Sequence, residues 1–192
     1  MKLIIVIDMI DAFCTRGNLA SERLSRLVTP IREYLERESA AGARALFLVD
    51  THEPDDPEFA VFPAHAVAGS GEDEVVAELA DIAERSIVIR KARFSGFHET
   101  RLDDELARLA PDEVEVVGVC TDICVLHTVA GLRDRGYSVT VRADLVDTYD
   151  VPGHPAAEMH AFALQLMRDT LGARISMDSP TDGPVDRNGT TG

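Results

Sequence analysis

The sequence predicts an α/β fold, a three-layer domain in which helices cover both faces of a mostly parallel central sheet of about six strands. Short apolar runs rich in β-branched residues recur along the chain and alternate with segments of helical period. This alternation implies right-handed β-α-β crossovers and a parallel sheet. The first four runs are almost continuously apolar, which is typical of strands that are covered on both faces.

The apolar runs place the strands, and the periodic segments between them place the helices. Strands are predicted at 3–7, 45–49, 86–89, 114–119, 138–143 and, with a weaker pattern, 173–177. Helices are predicted at 20–38, 72–84, 100–109, 121–135 and 155–171. Thr100 and Asp103 resemble a capping box, and Gly136 and Gly172 stand where helices are expected to stop. Pro30 would kink the first helix if it lay in its interior.

The length and composition indicate one domain with a reduced, cytoplasmic location. The 192 residues are enough to bury a core without staples, and we predict a single domain at 1–178 followed by a disordered tail at 179–192, which is rich in Gly, Pro, Asp and Thr. The three cysteines are too few for a disulfide framework. The start of the chain lacks the pattern of a signal peptide, and no stretch has the apolar length of a membrane span.

The charge argues against two classes of partner. The formal net charge is −15, from 34 acidic and 19 basic residues. Such a field repels phosphate backbones and anionic lipids, so we expect neither nucleic acid nor membrane as a partner.

Reactive side chains follow four of the predicted strands. Asp8 follows the first strand, Asp50 and His52 the second, Lys91 the third, and the cysteine segment of Cys124 the fourth. The carboxyl ends of parallel strands meet at one edge of the sheet, where chemistry gathers in this kind of fold. We therefore predict that these side chains form one site.

Cys124 is the candidate nucleophile of that site. With Thr121 or Asp122 as the N-cap, it lies in the first turn of a helix, where the dipole should lower the thiol pKa. Lys91 would stabilise the thiolate, and Asp8 would take the proton and pass it to a leaving group. A buried structural cysteine is the plain alternative, and the charged neighbours argue against it.

Other interpretations of the segment GVCTDICVLHT are weaker. Cys120 and Cys124 are spaced C-x₃-C, unlike the C-x-x-C of redox motifs, and a zinc clip would have only His127 as a further nearby ligand. His127 lies one turn beyond Cys124, so a Cys-His dyad stays open, although that position points into packing more often than into a cleft.

A second set of side chains has the composition of a metal site. Two of them, Asp50 and His52, are two residues apart and project to the same side of an extended segment. A loop rich in Pro and Asp then returns Glu58 and His65 towards them. Two imidazoles and two carboxylates suit Zn²⁺, with Fe²⁺ and Mn²⁺ as alternatives.

These motifs resemble those of the isochorismatase-like cysteine hydrolases, and among them the bacterial nicotinamidases. The resemblance runs through IVIDMIDAF, DTHEPDDPEF, FPAHAVAGS, KARFSGFHET and GVCTDICVLHTVAGLRDRGY to HAFALQLMRDTLGARI, and it covers 3–176. It implies a Cys124 nucleophile, an Asp8 general base and acid, a Lys91 cation, and a cis Val119–Cys120 peptide that directs the backbone N–H groups of Cys120 and Cys124 at an oxyanion.

The same resemblance implies a small-molecule substrate and the pocket that binds it. Asp50, His52, Glu58 and His65 fall on the metal positions of the nicotinamidases, and Phe13 and Phe62 fall where aromatic residues line the pyridine pocket. The implied reaction is hydrolysis of nicotinamide, or of its analogue pyrazinamide, to the acid and ammonia through a thioester, in a homo-oligomer. The alternatives are a family hydrolase of another small amide, ureide or vinyl ether, and a non-catalytic metal- or ligand-binding relative.

Overall fold

A computed structural model describes residues 1–177 of the chain, and in it six strands form one parallel sheet in the order β3-β2-β1-β4-β5-β6. The chain starts in the middle of the sheet, builds outward to β3, returns to place β4 beside β1, and builds outward again. The predicted α/β fold is confirmed. The strands are β1 Lys2–Ile7, β2 Arg44–Asp50, β3 Ile87–Lys91, β4 Glu113–Val119, β5 Val139–Asp147 and β6 Arg174–Ser176.

Helices cover both faces of this sheet. The first core cluster contains residues of α1 to α4, and the second contains residues of α5 to α7. Period-two alternation divides β1 between the two cores, with Ile4 and Val6 in the first and Leu3, Ile5 and Ile7 in the second. The helices are α1 Asp11–Cys14, α2 Glu22–Ser25, α3 Val28–Ala40, α4 Ala77–Glu84, α5 Leu102–Leu109, α6 Leu126–Asp134 and α7 Ala156–Asp169, with a 3₁₀ turn at Pro57–Ala60 and a π-helical turn at Thr121–Val125.

Several predicted boundaries differ from the observed ones. The helix predicted at 20–38 is two helices, α2 and α3, and Pro30 is the third residue of α3, where its missing N–H group has no helical partner to lose. The helix predicted at 72–84 begins only at Ala77, because the preceding residues run beside α1, where Glu72 and Glu74 accept backbone hydrogen bonds. The strand predicted at 138–143 extends to Asp147.

The helix ends follow the predicted signals in part. Gly136 and Gly172 have positive φ angles of 82° and 68° just after α6 and α7, as expected of residues that stop helices. At the start of α5 the Thr100 hydroxyl accepts a hydrogen bond from Leu102 N–H, whereas Arg101 occupies the cap position.

Two predictions concern the rest of the chain. The tail at 179–192 lies outside the described residues, as does the last residue of the predicted domain at 1–178. Among residues 1–177, no helix is both long enough and apolar enough to cross a bilayer.

Candidate active site

The reactive side chains predicted at the strand ends meet at the carboxyl edge of the sheet. Lys91 ends β3 and lies between three partners, with its Nζ 2.8 Å from Asp8 Oδ2, 2.9 Å from Asp50 Oδ1 and 3.6 Å from Cys124 Sγ. All four side chains are buried. The point of convergence is the place where the strand order reverses, between β1 and β4.

The loop backbone fixes Asp8 in this position. Asp8 follows β1 directly and has a positive φ of 52°. Its backbone N–H donates to Leu48 O at 2.9 Å, and its Oδ1 accepts from Asp50 N–H at 2.9 Å. The carboxylate is therefore held from the neighbouring strand on one side and by the lysine on the other.

The charges of Asp8, Asp50 and Lys91 depend on one another. Burial lowers the pKa of Lys91, but Asp50 and Asp8 outweigh it and hold that pKa well above its ordinary value. Burial raises the pKa of Asp8 to about 6, although Lys91 opposes the rise. The pKa of Asp50 is lowered despite its burial, because Lys91, His52 and His65 favour the carboxylate. Lys91 is thus a cation here, and of the two aspartates that it contacts Asp8 is the one whose pKa lies nearer neutrality.

The thiol of Cys124 differs from the prediction. Burial raises its pKa well above the ordinary value, Lys91 opposes this, and Asp8 and Asp50 add to it. The predicted lowering was wrong because the thiol is buried beside two carboxylates as well as one cation. Lys91 Nζ lies within reach of both this sulfur and the Asp8 carboxylate, at 3.6 Å and 2.8 Å. The group is therefore a neutral thiol in contact with a cation, and the same cation holds the carboxylate that can accept its proton.

The helix start around Cys124 also differs in detail. Cys120 occupies the N-cap position, and its side chain makes no capping hydrogen bond. The prediction that Thr121 or Asp122 is the N-cap was therefore wrong. Cys120 O accepts backbone hydrogen bonds from Ile123 and Val125, both at 3.1 Å, which closes the π-helical turn that presents Cys124. The Val119–Cys120 peptide is cis, as the resemblance implies.

The three cysteines form no disulfide, and His127 lies away from the buried core. Cys14, Cys120 and Cys124 are all free thiols. His127 is exposed, its Nδ1 lies 2.7 Å from Ile123 O, and its ring contacts Phe94. The expectation that His127 points into packing was wrong, because the side chain lies at the surface of α6.

The predicted metal set forms one compact group beside the lysine. Asp50, His52, Glu58 and His65 each offer a ligand atom, and these atoms lie within 4.8 Å of one another. His52 Nε2 is 3.2 Å from Asp50 Oδ2 and 4.0 Å from Glu58 Oε1, and His65 Nε2 is 3.6 Å and 3.9 Å from the same two atoms.

The donor atoms of this group suit a divalent transition metal. His52 is fully buried, and its ring nitrogens lie within 3.2 Å of carboxylate oxygens of Asp50 and Asp56, although neither contact has the alignment of a hydrogen bond. His65 Nδ1 lies 2.8 Å from Pro63 O, which leaves its Nε2 facing the carboxylates. Two nitrogen and two carboxylate donors at this separation fit a tetrahedral or octahedral ion of the Zn²⁺, Fe²⁺ or Mn²⁺ type.

An apolar cavity of about 480 Å³ opens onto both groups. Asp50 and Cys124 reach it from the sheet edge and Glu58 and His65 from the loop after β2, which brings the thiol and three of the four candidate ligands to one space. Its walls are mostly aromatic and aliphatic, and they include the predicted Phe13 and Phe62. The other apolar lining side chains are Leu19, Ala20, Leu24, Val61, Pro63, Phe94, Ile123, Tyr149 and Val151.

The loop after β5 supplies cavity residues that the sequence did not reveal. Tyr149 stacks on His154 with ring centroids 4.0 Å apart, and His154 Nε2 lies 2.8 Å from Asp122 Oδ2 beside the nucleophile turn. The predicted strand ends at 143, four residues before the real end of β5, so the pattern does not mark Tyr149 as a strand-end residue. If β5 had been predicted to its real end at Asp147, Tyr149 would have been recognised as a residue just after a strand.

The chain matches the family model described as Isochorismatase domain over residues 2–179. A pyrazinamidase/nicotinamidase from Streptococcus mutans is 29% identical, with a TM-score of 0.82, 92% of this chain and 100% of that chain covered. An N-carbamoylsarcosine amidase from Thermoplasma acidophilum is also 29% identical, with a TM-score of 0.80 and coverage of 95% and 99%. A pyrazinamidase from Pyrococcus horikoshii, solved in complex with zinc, is 25% identical, with a TM-score of 0.82 and coverage of 92% and 99%.

Proposed function

The chain belongs to the isochorismatase family of hydrolases, and we propose that it is a metal-containing cysteine amidohydrolase that converts nicotinamide to nicotinate and ammonia. One observation carries the proposal. The thiol of Cys124 and three members of the donor set, Asp50, Glu58 and His65, face the same apolar cavity, and His52 completes the donor set behind them. A flat heteroaromatic amide fits such a cavity, because its ring can contact Phe13 and Phe62 while its polar groups reach the thiol and the donor set.

The first half of the reaction forms a thioester. Asp8 accepts the proton of Cys124 as the sulfur attacks the carboxamide carbon, and Lys91, 3.6 Å from that sulfur, stabilises the negative charge. The backbone N–H groups of Cys120 and Cys124 receive the oxyanion of the tetrahedral intermediate. Asp8 then returns the proton to the departing nitrogen, which leaves as ammonia.

The second half uses the same groups for hydrolysis. Asp8, ionised again, takes a proton from a water molecule that attacks the thioester carbon. The oxyanion forms at the same N–H groups, and its collapse expels the sulfur of Cys124, which recovers its proton from Asp8. An acid–base group that works in both directions needs a pKa near neutrality, and burial has raised that of Asp8 to about 6.

The donor set gives the substrate its orientation. A divalent metal held by Asp50, His52, Glu58 and His65 would supply a Lewis-acidic position for the ring nitrogen. Asp50 directs Oδ2 at the imidazoles of this set and Oδ1 at Lys91. The ring nitrogen and the amide would then be held at the two ends of the pocket, with the carboxamide carbon directed at Cys124.

A second candidate is another amide or ureide hydrolysis within the same family. The Thermoplasma acidophilum relative, an N-carbamoylsarcosine amidase, resembles this chain as much in sequence as the Streptococcus mutans one. The donor set favours nicotinamide, because an aromatic ring nitrogen is a ligand that a carbamoyl substrate lacks. A third candidate, of another class, is a non-catalytic protein that binds a metal or small ligand in this cavity.

Ammonia release decides between these functions. The purified protein is tested with nicotinamide, pyrazinamide and carbamoyl compounds, and the metal content of the same sample is measured. The proposal expects hydrolysis of nicotinamide, with about one divalent transition metal bound per chain. Turnover of a carbamoyl compound alone, by a metal-free sample, would establish the second candidate. No turnover of any compound by a metal-loaded sample would establish the third.

The proposal also includes a cytoplasmic location and a homo-oligomer. The free state of all three cysteines agrees with a reducing compartment. Size-exclusion chromatography with light scattering measures the oligomer.

A further inference from the structure

Asp56 lies just outside the donor set, and nothing in the proposed chemistry uses it. It is buried, with 7% of its surface exposed, in a loop that is otherwise open to solvent, since its neighbours Asp55 and Pro57 are exposed. A buried carboxylate in such a loop needs partners that compensate for the loss of water. Its partners therefore indicate its role.

Two of these partners are candidate metal ligands. Asp56 Oδ2 lies 3.1 Å from His52 Nδ1, the ring nitrogen that faces away from the donor set. Asp56 Oδ1 accepts a hydrogen bond from Glu58 N–H at 2.8 Å and so caps the 3₁₀ turn that carries Glu58. One carboxylate thus contacts the imidazole of one ligand and the backbone of another.

Arg93 fixes the carboxylate from the opposite side. Its Nη1 lies 2.9 Å from both Asp56 Oδ1 and Asp56 Oδ2. Arg93 follows β3 two residues after Lys91, so it ties the loop of the donor set to the strand that carries the proposed catalytic lysine. The guanidinium is partly exposed, whereas the carboxylate that it holds is not.

The second nitrogen of each candidate ligand ring has a different partner. His65 Nδ1 faces the backbone carbonyl of Pro63, and His52 Nδ1 faces the Asp56 carboxylate. A partner of this kind places the proton on the outer nitrogen, leaves the inner nitrogen free to bind a metal, and increases its basicity. Asp56 is the one charged group in this role among the described residues around His52 Nδ1.

From these contacts we propose that Asp56, held by Arg93, is a positioning residue that sets the metal affinity of the site. It orients the imidazole of His52 and the turn of Glu58 together. The inference rests on the proposed function for the presence of the metal, and on the geometry alone for the role of Asp56. Loss of such a partner lowers metal affinity by about 10- to 100-fold in other sites.

The test measures zinc affinity directly, by competition with a chromophoric chelator, in the metal-free full-length protein. Asp56→Asn is expected to raise the zinc dissociation constant about 10- to 100-fold. Asp55→Asn removes the same charge from the adjacent, exposed position, and it is expected to leave the constant within about twofold. The melting temperature of each metal-free variant is measured in parallel, because a merely structural role would lower it without a selective change in affinity.

Arg93→Met provides the second variant, since it leaves the bond from Glu58 N–H to Asp56 intact. We expect a smaller loss, up to about tenfold, and no further loss when Arg93→Met is added to Asp56→Asn, because Arg93 acts through Asp56. An unchanged dissociation constant in Asp56→Asn, an equal change in Asp55→Asn, or additive losses in the double variant would overturn the proposal.

This test is independent of the proposed reaction. If the wild-type protein binds zinc, loses affinity in Asp56→Asn, and yet releases no ammonia from nicotinamide, the proposed function fails and the inference stands. If the wild-type protein hydrolyses nicotinamide while Asp56→Asn binds zinc normally, the inference fails alone. A wild-type protein that binds no zinc overturns the inference.

Discussion

Replacement of Lys91 by methionine removes the cation at the centre of the site and keeps an unbranched side chain that is shorter by one atom. Lys91 Nζ lies 3.6 Å from Cys124 Sγ. At an effective dielectric constant of about 20, a unit charge at that distance stabilises a full thiolate by about 4–5 kcal/mol. Since about 1.4 kcal/mol corresponds to tenfold in rate, we expect kcat/KM for nicotinamide to fall by about 10³-fold.

The same replacement changes the stability of the fold. Lys91 neutralises two buried carboxylates, at 2.8 Å from Asp8 and 2.9 Å from Asp50. Removal of one partner of a buried ion pair costs about 3–5 kcal/mol. We expect a loss near the lower end of that range, because Asp8 has a pKa of about 6 and can take up a proton once the lysine is gone. Urea unfolding measures this loss.

Lys2→Met is the matched control, because Lys2 and Lys91 are the lysines of the chain. Lys2 also pairs with two carboxylates, Glu38 at 2.9 Å and Glu115 at 3.2 Å. It lies at the amino end of β1, however, whereas the site lies at the carboxyl ends of the strands. We expect Lys2→Met to lower stability and leave kcat/KM unchanged. A folded, metal-loaded Lys91→Met protein whose kcat/KM stays within tenfold of the wild type would refute the electrostatic role.

Three further predictions test the nucleophile, the metal and the strand geometry. Cys124→Ala should abolish ammonia release, while Cys120→Ala should keep most of it, because only the backbone of Cys120 takes part; loss of activity in both would contradict this division. Removal of the metal with a chelator should abolish hydrolysis of nicotinamide, and added Zn²⁺, Fe²⁺ or Mn²⁺ should restore it; full activity without metal would contradict the role of the donor set. Gly118→Ala should lower the free energy of unfolding by about 1–3 kcal/mol more than Gly42→Ala, measured in urea. Both glycines have positive φ, 112° and 93°, but a Cβ at Gly118 would meet Ile7 O at 2.1 Å, and one at Gly42 meets nothing within 4 Å; equal losses would show that only the φ angle matters.

The sequence predicted the positions of the reactive groups because a parallel sheet leaves few choices. Continuous apolar runs identified β1, β2, β3 and β4, and the residues at the carboxyl end of each run must lie at the same edge. Asp8, Asp50, Lys91 and Cys124 are in contact in the structure for this reason. The positions of Glu58 and His65 were less constrained, because a loop and not a strand carries them. They were predicted to lie beside Asp50 and His52 because the four residues together have the composition of a metal site.

The details that sequence reasoning missed depend on tertiary contacts. The pKa of Cys124 rises because the thiol is buried, and Asp8 and Asp50 add to the rise, effects that the helix dipole alone does not predict. The local pattern places Asp56 in an acidic loop that faces water, because its partner Arg93 is 37 residues away in the sequence. Neither distance nor burial of such pairs can be inferred from a local pattern.

The two halves of the site share a single carboxylate, and this explains their arrangement along the chain. Asp50 is the last residue of β2, and Lys91 is the last residue of the neighbouring β3, in register with it. Asp50 Oδ1 therefore faces the lysine, while Oδ2 faces His52 and His65. Asp50 raises the pKa of both Lys91 and the thiol of Cys124, so its charge links the donor set to the nucleophile. Nucleophile and donor set thus form one electrostatic unit, in which the pairing of β2 with β3 fixes the distance between them.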